Sequence, residues 1–316
     1  MNGHSVTKRK AIIAAIVCYF FWAISFMASR TALSITSVFT VLSHRFVLAF
    51  LVMTVLCFTP LGDCRLKGKP LLPLILLGLF QPVIYFFGEQ YGILHSSTIF
   101  SGVMIALIPI VSSLAAIPVL GEKPSLRQFI FSLLSVGGVI GIGMLTNNSG
   151  SLDWIGVAGL VVAVCSAAAY LLLSRNIAPR FTPFERAYAM ICLGAVAFTI
   201  PALVSVRENP IDYLVPLKDP RYIVPILFLG VCCSVISFFL SNYTLTGLSV
   251  AQTSVFANFT TAISVFAGAV FLHEPFSWLG LLFCAMILLG IYGVVNTPGE
   301  KERDRGKAEG TLEERT

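Results

Sequence analysis

Only 11% of this 316-residue chain is charged, while 57% is hydrophobic. A soluble domain carries about 25% charged residues, so a water-facing globular fold is excluded, and a mean hydropathy of +0.89 places the chain in the membrane. The net charge of +6 lies in short connections between apolar runs, not in one basic patch with exposed aromatics. Nucleic acid is therefore not an expected partner, whereas the lipid bilayer is.

A helix needs about 20 mainly apolar residues to cross about 30 Å of hydrocarbon. On that criterion the sequence predicts ten spans, at 11–29, 37–58, 71–92, 97–119, 127–145, 153–174, 184–206, 222–243, 250–272 and 277–296. These runs are continuous, unlike the ~10-residue alternating strands of a membrane β-barrel. The expected fold class is thus an all-α integral membrane protein with ten transmembrane helices. Lys8-Arg9-Lys10 before an apolar run resembles a signal peptide, but the run is long and lacks a small-x-small cleavage site, so it reads as the first span.

Lys and Arg in the short loops set the orientation. With the N-terminus inside, cytoplasmic segments hold Lys8, Arg9 and Lys10, then Arg65, Lys67 and Lys69, then Lys123 and Arg127, then Arg175 and Arg180. The outer connections hold Arg30, Asp153 and a longer stretch in which Arg207, Lys218 and Arg221 are offset by Glu208, Asp212 and Asp219. Both termini are then cytoplasmic, as expected for a multi-pass protein of the inner or plasma membrane. The tail 298–316, nearly all charged, Gly or small polar, reads as disordered. Eight cysteines form no C-x-x-C and lie mostly in apolar runs, so neither a disulfide framework nor a metal site is expected.

The stretch from Leu74 to Glu122 recurs without a gap 152 positions later, at Ile226 to Glu274. Leu77-Gly78 falls on Leu229-Gly230, Val83-Ile84 on Val235-Ile236, Phe86-Phe87 on Phe238-Phe239 and Tyr91 on Tyr243. Self-similarity on this scale points to duplication. Five spans per copy force the second copy to enter the membrane from the opposite side, so the copies are expected to be two inverted five-helix repeats, 11–149 and 150–297. They are flanked by a cytoplasmic N-terminus at 1–10 and the tail at 298–316. Inverted repeats recur in secondary transporters, where two halves rock about a central site. No G-x-x-x-x-G-K-[ST] is present, so transport is expected to be ion-coupled, exchange-coupled or downhill.

The order of features is more specific than any one of them. Arg45 and Arg186 stand early in each second helix. Ala106-Leu107-Ile108-Pro109 leads to Leu120-Gly121-Glu122, with a partner at Leu272-His273-Glu274. The fifth and tenth helices are rich in glycine (Gly137, Gly138, Gly141 and Gly290, Gly293). Together these resemble the EamA-type members of the drug/metabolite transporter superfamily, over about residues 11 to 296. The resemblance implies a ten-helix inner-membrane exporter or exchanger of amino acids, metabolites or drugs, with no cofactor expected. Thr261 stands where the first copy has Pro109, and His273 replaces Gly121, so exact symmetry of helices 4 and 9 is in doubt.

An ionisable group inside a span costs roughly 2.5–3.5 kcal/mol on insertion scales, so it usually faces a cavity or a partner. Glu89, followed by Gln90, lies near the outer end of helix 3. It reads either as a substrate-amine or proton-coupling carboxylate, or as an interfacial acid reaching water. Its counterparts Ser241 and Asn242 make any carboxylate role asymmetric. His44 and Arg45 read either as a clamp for a substrate carboxylate or as a structural tie; an Arg in both copies favours the tie. Trp22, Ser25, Tyr85, Tyr170, Gln252, Asn258 and Thr261 are candidates for pocket walls, although each taken alone more often bonds a neighbouring helix.

No Asp lies in the interior of any predicted span, Asp153 standing at the first position of one, and H-E-x-x-H is absent, so catalytic residues are not expected and an intramembrane enzyme is disfavoured. A channel or sensor is disfavoured by the sparse polar lining. The expected function is alternating-access transport of a small organic solute. Pro82 and Pro109 are expected to bend the first half, and the second half, with Ser234 and Thr261 in their places, is expected to bend elsewhere. The sequence encodes neither substrate identity nor oligomeric state in a legible form.

Overall fold

The computed structural model describes residues 7–60, 62, 65–95, 98–145, 153–263 and 278–299. Among the described residues there are helices and no strands. They are α1 (Lys8–Leu33), α2 (Val38–Cys57), α3 (Leu72–Gly78, a π-helical Leu79–Ile84, then Tyr85–Leu94), α4 (Thr98–Ala106 and Ile108–Leu120), α5 (Leu126–Leu145) and α6 (Trp154–Ile177). There follow α7 (Pro183–Ser205), two 3-10 turns (Pro210–Tyr213 and Val215–Lys218) and α8 (Pro220–Leu227, a π-helical Phe228–Ile236, then Ser237–Gly247). The last are α9 (Val250–Ser254, a 3-10 turn Val255–Asn258, then helical residues to 263) and α10 (Trp278–Asn296). Nine of these are long and apolar enough to cross a membrane, among the described residues. The predicted span 250–272 continues outside the described residues, as do Leu272-His273-Glu274 and the tail from 300.

Polarity is inverted relative to a soluble protein. Leu51, Val55, Leu133, Ile200 and Leu289 face outward, while Arg45, Glu185, Arg186 and Asn242 are buried, as a lipid solvent demands. Trp154 and Trp278, the first residues of α6 and α10, are 84% and 85% exposed. Such positions suit the aromatic belt at a membrane interface.

The chain forms two compact units, one from 1–86 with 173–247 and one from 87–172 with 248–316. Each draws on both halves of the sequence. In the first unit α2 packs along α7, and α8 packs on α1 and α2. Gly78 of α3 meets Leu193 and the Ala189 carbonyl of α7, while Gly230, 152 positions later in α8, meets Leu48 and the Arg45 carbonyl of α2. The Phe46 ring touches Phe86 and Phe238, again 152 positions apart, at centroid distances of 6.1 and 6.0 Å.

In the second unit α5 and α10 pack closely through the same register. A Cβ on Gly138 would lie 2.7 Å from the Phe283 carbonyl and 2.8 Å from Ile287, and one on Gly290 would lie 2.6 Å from the Phe131 carbonyl and from Ser135. Gly141 faces Phe283, and Gly293 faces Phe131. Every one of these residues maps onto its counterpart by the shift of 152, so the contact is reciprocal. Residues late in α5 meet residues early in α10, so the two helices run antiparallel. Small residues let helix backbones approach in lipid. Gly138→Ala and Gly290→Ala should each lower stability by about 1–3 kcal/mol and by similar amounts, since both clashes are with backbone. Gly102→Ala, which meets nothing within 4 Å, is the control. Melting curves in detergent compare the three.

The helix breaks correct one expectation: among the described residues, α8 breaks in the same register as α3. The π-helical segments of α3 and α8 end at Ile84 and Ile236, which are repeat equivalents. In α3, Gln81 leaves the helical region (φ −141°, ψ 119°) before Pro82, and the Gln81–Pro82 peptide is cis. In α8 no proline is present within the π segment; instead the Ser234 hydroxyl donates to the Leu229 carbonyl at 2.9 Å and Ser237 to Cys232 at 2.8 Å, each five residues back. Those hydroxyls add a second donor to carbonyls that the wider turn pairs five residues on. Likewise α4 breaks at Leu107, and the 3-10 turn of α9 maps onto 103–106, just before it. Gly121, at φ +63°, closes α4 in the left-handed conformation that glycine adopts without strain.

Candidate functional site

An irregular turn inside a spanning helix exposes backbone polarity to an apolar medium and is tolerated only where protein groups or a cavity satisfy it. The π segment of α8 is such a place. Its Cys233 carbonyl accepts from the Trp22 indole at 3.0 Å and from Arg45 Nη2 at 3.3 Å. Arg45 Nε also donates to the Ser234 hydroxyl at 2.7 Å, and its guanidinium lies over the Phe46 and Phe86 rings at 5.6 and 5.5 Å. The Cys18 thiol reaches the Ser237 carbonyl at 3.2 Å. The broken turn is therefore stitched to α1 and α2 by donors that a regular helix would have no use for. Short π segments within α-helices are frequent at functional sites, and this one has a cation, an indole and aromatic faces around it.

Of the sequence candidates, Trp22 and Arg45 thus meet on one carbonyl. Ser25 stays on its own helix, donating to the Trp22 carbonyl at 2.6 Å. Tyr85 stands edge-on to Phe86 at 5.5 Å. Asn242 is fully engaged: its Oδ1 accepts from Ser174 at 2.7 Å, its Nδ2 donates to the Phe238 carbonyl at 2.8 Å, and its backbone carbonyl accepts from Arg186 at 2.8 Å. His44 points away from its neighbour Arg45. Its Nδ1 bonds the Tyr222 hydroxyl at 2.9 Å, and its ring lies 4.5 Å from that of Tyr213.

The other candidates belong to the second unit. Glu89 and Tyr170 are buried and Gln90 is half-buried. Gln252 is the third residue of a capping box with Ser249, and its Nε2 donates to the Val295 carbonyl at 3.3 Å. Asn258 donates to Ser135 at 3.1 Å. Glu122 accepts from the Val250 backbone N–H at 2.9 Å, which ties the end of α4 to the start of α9. These bonds are helix-to-helix ties, as expected of polar groups in apolar helices.

Sequence reasoning missed Ser234, Tyr213 and Tyr222. Ser234 carried a signal, since it stands in the register of Pro82. The tyrosines carried a weaker one, because one lies within and the other just after the long connection that holds most of the outer charge.

Two matches of the EamA-like transporter family model fall on residues 9–144 and 154–296. An uncharacterized transporter of Bacillus subtilis, YcxC, is 32% identical over 90% of this chain and 92% of its own. A probable terminal-alkyne amino-acid exporter of Streptantibioticus cattleyicolor is 26% identical over 90% of this chain and 92% of its own. One crystal structure of a protein at 16% identity superposes with a TM-score of 0.74 over 92% of this chain and 96% of that one, which shows a shared fold. With the model matching nearly the whole apolar region and a relative above 30% identity, the chain is a multi-pass membrane protein and belongs to the EamA-like transporter family.

Proposed function

We propose that the chain is an alternating-access secondary transporter that exports or exchanges amino acids or related metabolites. It is built as two inverted repeats of five spans, 11–149 and 150–297, with both termini cytoplasmic. The observation that carries the inversion is the reciprocal contact of α5 and α10. Two spanning helices exchanged by a two-fold axis run antiparallel only if the axis is perpendicular to them, that is, in the membrane plane. This is the relation on which alternating access relies. The basic loops support the stated orientation. The amino-acid substrate class is supported by the relative described as a probable amino-acid exporter. Transport here needs no catalytic group, and we read the protein as a carrier, not an enzyme.

Two regions are proposed to meet solute. One is the π break of α8 with Trp22, Ser25, Arg45, Tyr85 and, behind it, His44 and Asn242. The other, in the second unit, is Glu89 and Gln90 with Tyr170, Gln252 and Asn258. Glu89 is a buried acid with Ser241 in its place in the other copy, and it is assigned to proton coupling. Glu89→Gln should abolish the response of uptake to an imposed pH gradient in reconstituted vesicles; an undiminished response removes Glu89 from that role. The substrate class is tested by thermal stabilisation of the purified protein against a panel of amino acids. A ligand at 100 times its Kd adds about 2.7 kcal/mol, a shift read directly in the melting temperature. A panel without any stabilising amino acid counts against that class.

A further inference from the structure

The connection between α7 and α8, residues 206–219, is fastened by a side-chain hydrogen bond of Tyr213 and by the buried Pro216. Tyr213, in its first 3-10 turn, bonds the Ser43 hydroxyl at 2.7 Å, and Ser43 in turn bonds Thr199 at 2.8 Å. Beside this bond lies His44, 6% exposed, with its ring against Tyr213 and its Nδ1 on the hydroxyl of the fully buried Tyr222. His44 Nε2 is buried without a hydrogen-bond partner. The backbone of Tyr213 approaches the ring as a hydrogen-bonding group, but short of the geometry of a formed bond at Nε2.

The protons can be counted. If Tyr222 donates to Nδ1, the ring is neutral, its proton is on Nε2, and one buried donor lacks an acceptor. If Tyr222 accepts instead, its own proton and the Nε2 lone pair are both left unmatched. The first arrangement leaves fewer orphans and describes the closed state. A second ring proton cannot be added to it. Nδ1 is already occupied by the Tyr222 proton, which would have to turn away with nowhere to go. The resulting cation would be buried with at most one carbonyl nearby, and a buried charge without partners is strongly disfavoured. Tyr213 lies against the ring at 4.5 Å, so lifting it would open the imidazole to water.

We propose that His44 is a proton-binding site that latches the 206–219 connection, closed over the neutral imidazole and released when the ring takes up a proton from solvent. The sign follows from where the proton fits: the closed form is favoured above the ordinary imidazole range of about 6.5 and lost as pH falls through it. Other groups near the ring do not supply this response. Arg45 is turned to Ser234 and the Cys233 carbonyl. Tyr213 bonds Ser43, and Tyr222 bonds His44 itself. Asp212 accepts from Asn209, and hydrogen bonds from the side chain and backbone of Arg221 hold the Asp219 carboxyl below its usual range, so it stays ionised. Arg207, Glu208 and Lys218 are exposed to solvent.

Hydrogen exchange of the 206–219 amides, corrected for intrinsic rate, tests the latch in purified full-length protein at pH 5 and pH 8. The wild type should exchange at least about tenfold faster at pH 5, since each pH unit of linkage is worth a factor of ten. His44→Asn and His44→Gln should both lose the pH step, and one folded variant is sufficient. Absence of a step in the wild type, or a step of equal size in either variant, overturns the proposal. The readout needs no substrate, so it succeeds or fails separately from the transport reading.

Discussion

Replacing Arg186 with alanine is expected to destabilise the protein by about 3–5 kcal/mol, because it strands several buried acceptors at about 1–3 kcal/mol each and empties the space of a large buried side chain. Arg186 is fully buried. Its Nη1 donates to the carbonyl and the hydroxyl of Ser174, both at 2.8 Å, and its Nη2 to the Asn242 carbonyl at 2.8 Å and the Thr246 hydroxyl at 2.7 Å. One guanidinium therefore joins the last turns of α6 and α8 to the first turn of α7. Arg175 adds bonds to the Leu245 and Thr246 carbonyls at 2.9 and 3.1 Å, so the end of α8 is closed by two arginines in place of water. Arg186→Lys should recover less than half the loss, because an ammonium cannot span the two forks of acceptors. Ser174→Ala should cost about 1 kcal/mol, a single hydrogen-bonding hydroxyl. Melting in detergent orders the three variants; Arg186→Ala within about 1 kcal/mol of wild type contradicts the assignment.

The second large effect is expected at the neighbouring residue. Glu185 is fully buried at the third position of α7, where it completes a capping box with Thr182. Its carboxylate accepts from the Thr182 N–H at 2.9 Å, the Arg65 N–H at 2.9 Å and Lys69 Nζ at 2.8 and 2.7 Å. Lys69 also lies over the Phe181 ring at 5.4 Å. The carboxylate thus fastens the connection between α2 and α3 onto the start of α7, with every bond charge-assisted. Glu185→Ala should cost about 3 kcal/mol or more, since it leaves Lys69 without its partner and two N–H groups without acceptors. Glu185→Gln keeps an acceptor and should cost about half as much. Protease cleavage within 62–70 should accelerate in the alanine variant; unchanged cleavage and melting would remove the clamp from the account.

How far the sequence could be read depended on whether the controlling group was a side chain or a backbone atom. The register of 152 was legible from identities such as Leu77-Gly78 with Leu229-Gly230. In space it extends further, through Phe131 with Phe283 and Gly138 with Gly290, where intervening mismatches such as Lys123 against Pro275 hid it. The break in α3 was marked by Pro82. The break in α8 was not, because Ser234 and Ser237 are ordinary in membrane helices, and only their bonds to carbonyls five residues back reveal the wider turn. Arg186 was readable as a structural arginine, but its acceptors are largely main-chain carbonyls, which leave no signature in sequence. Arg45 was weighed as a clamp or a tie; its bonds to the Cys233 carbonyl and Ser234 make it a tie to the very turn proposed to meet solute. His44 finds Tyr222 178 positions away, a pairing that no local pattern encodes.

The central claim is exchange of amino acids across the membrane by a carrier. Counterflow in proteoliposomes tests it most directly. Vesicles are loaded with unlabelled amino acids and given a trace of each labelled one outside. The account predicts transient, saturable accumulation of at least one amino acid above that in protein-free vesicles. It also predicts loss of that accumulation when the inside is left empty. Labelled amino acids that enter no faster than in protein-free vesicles, with the protein folded and inserted, would contradict it.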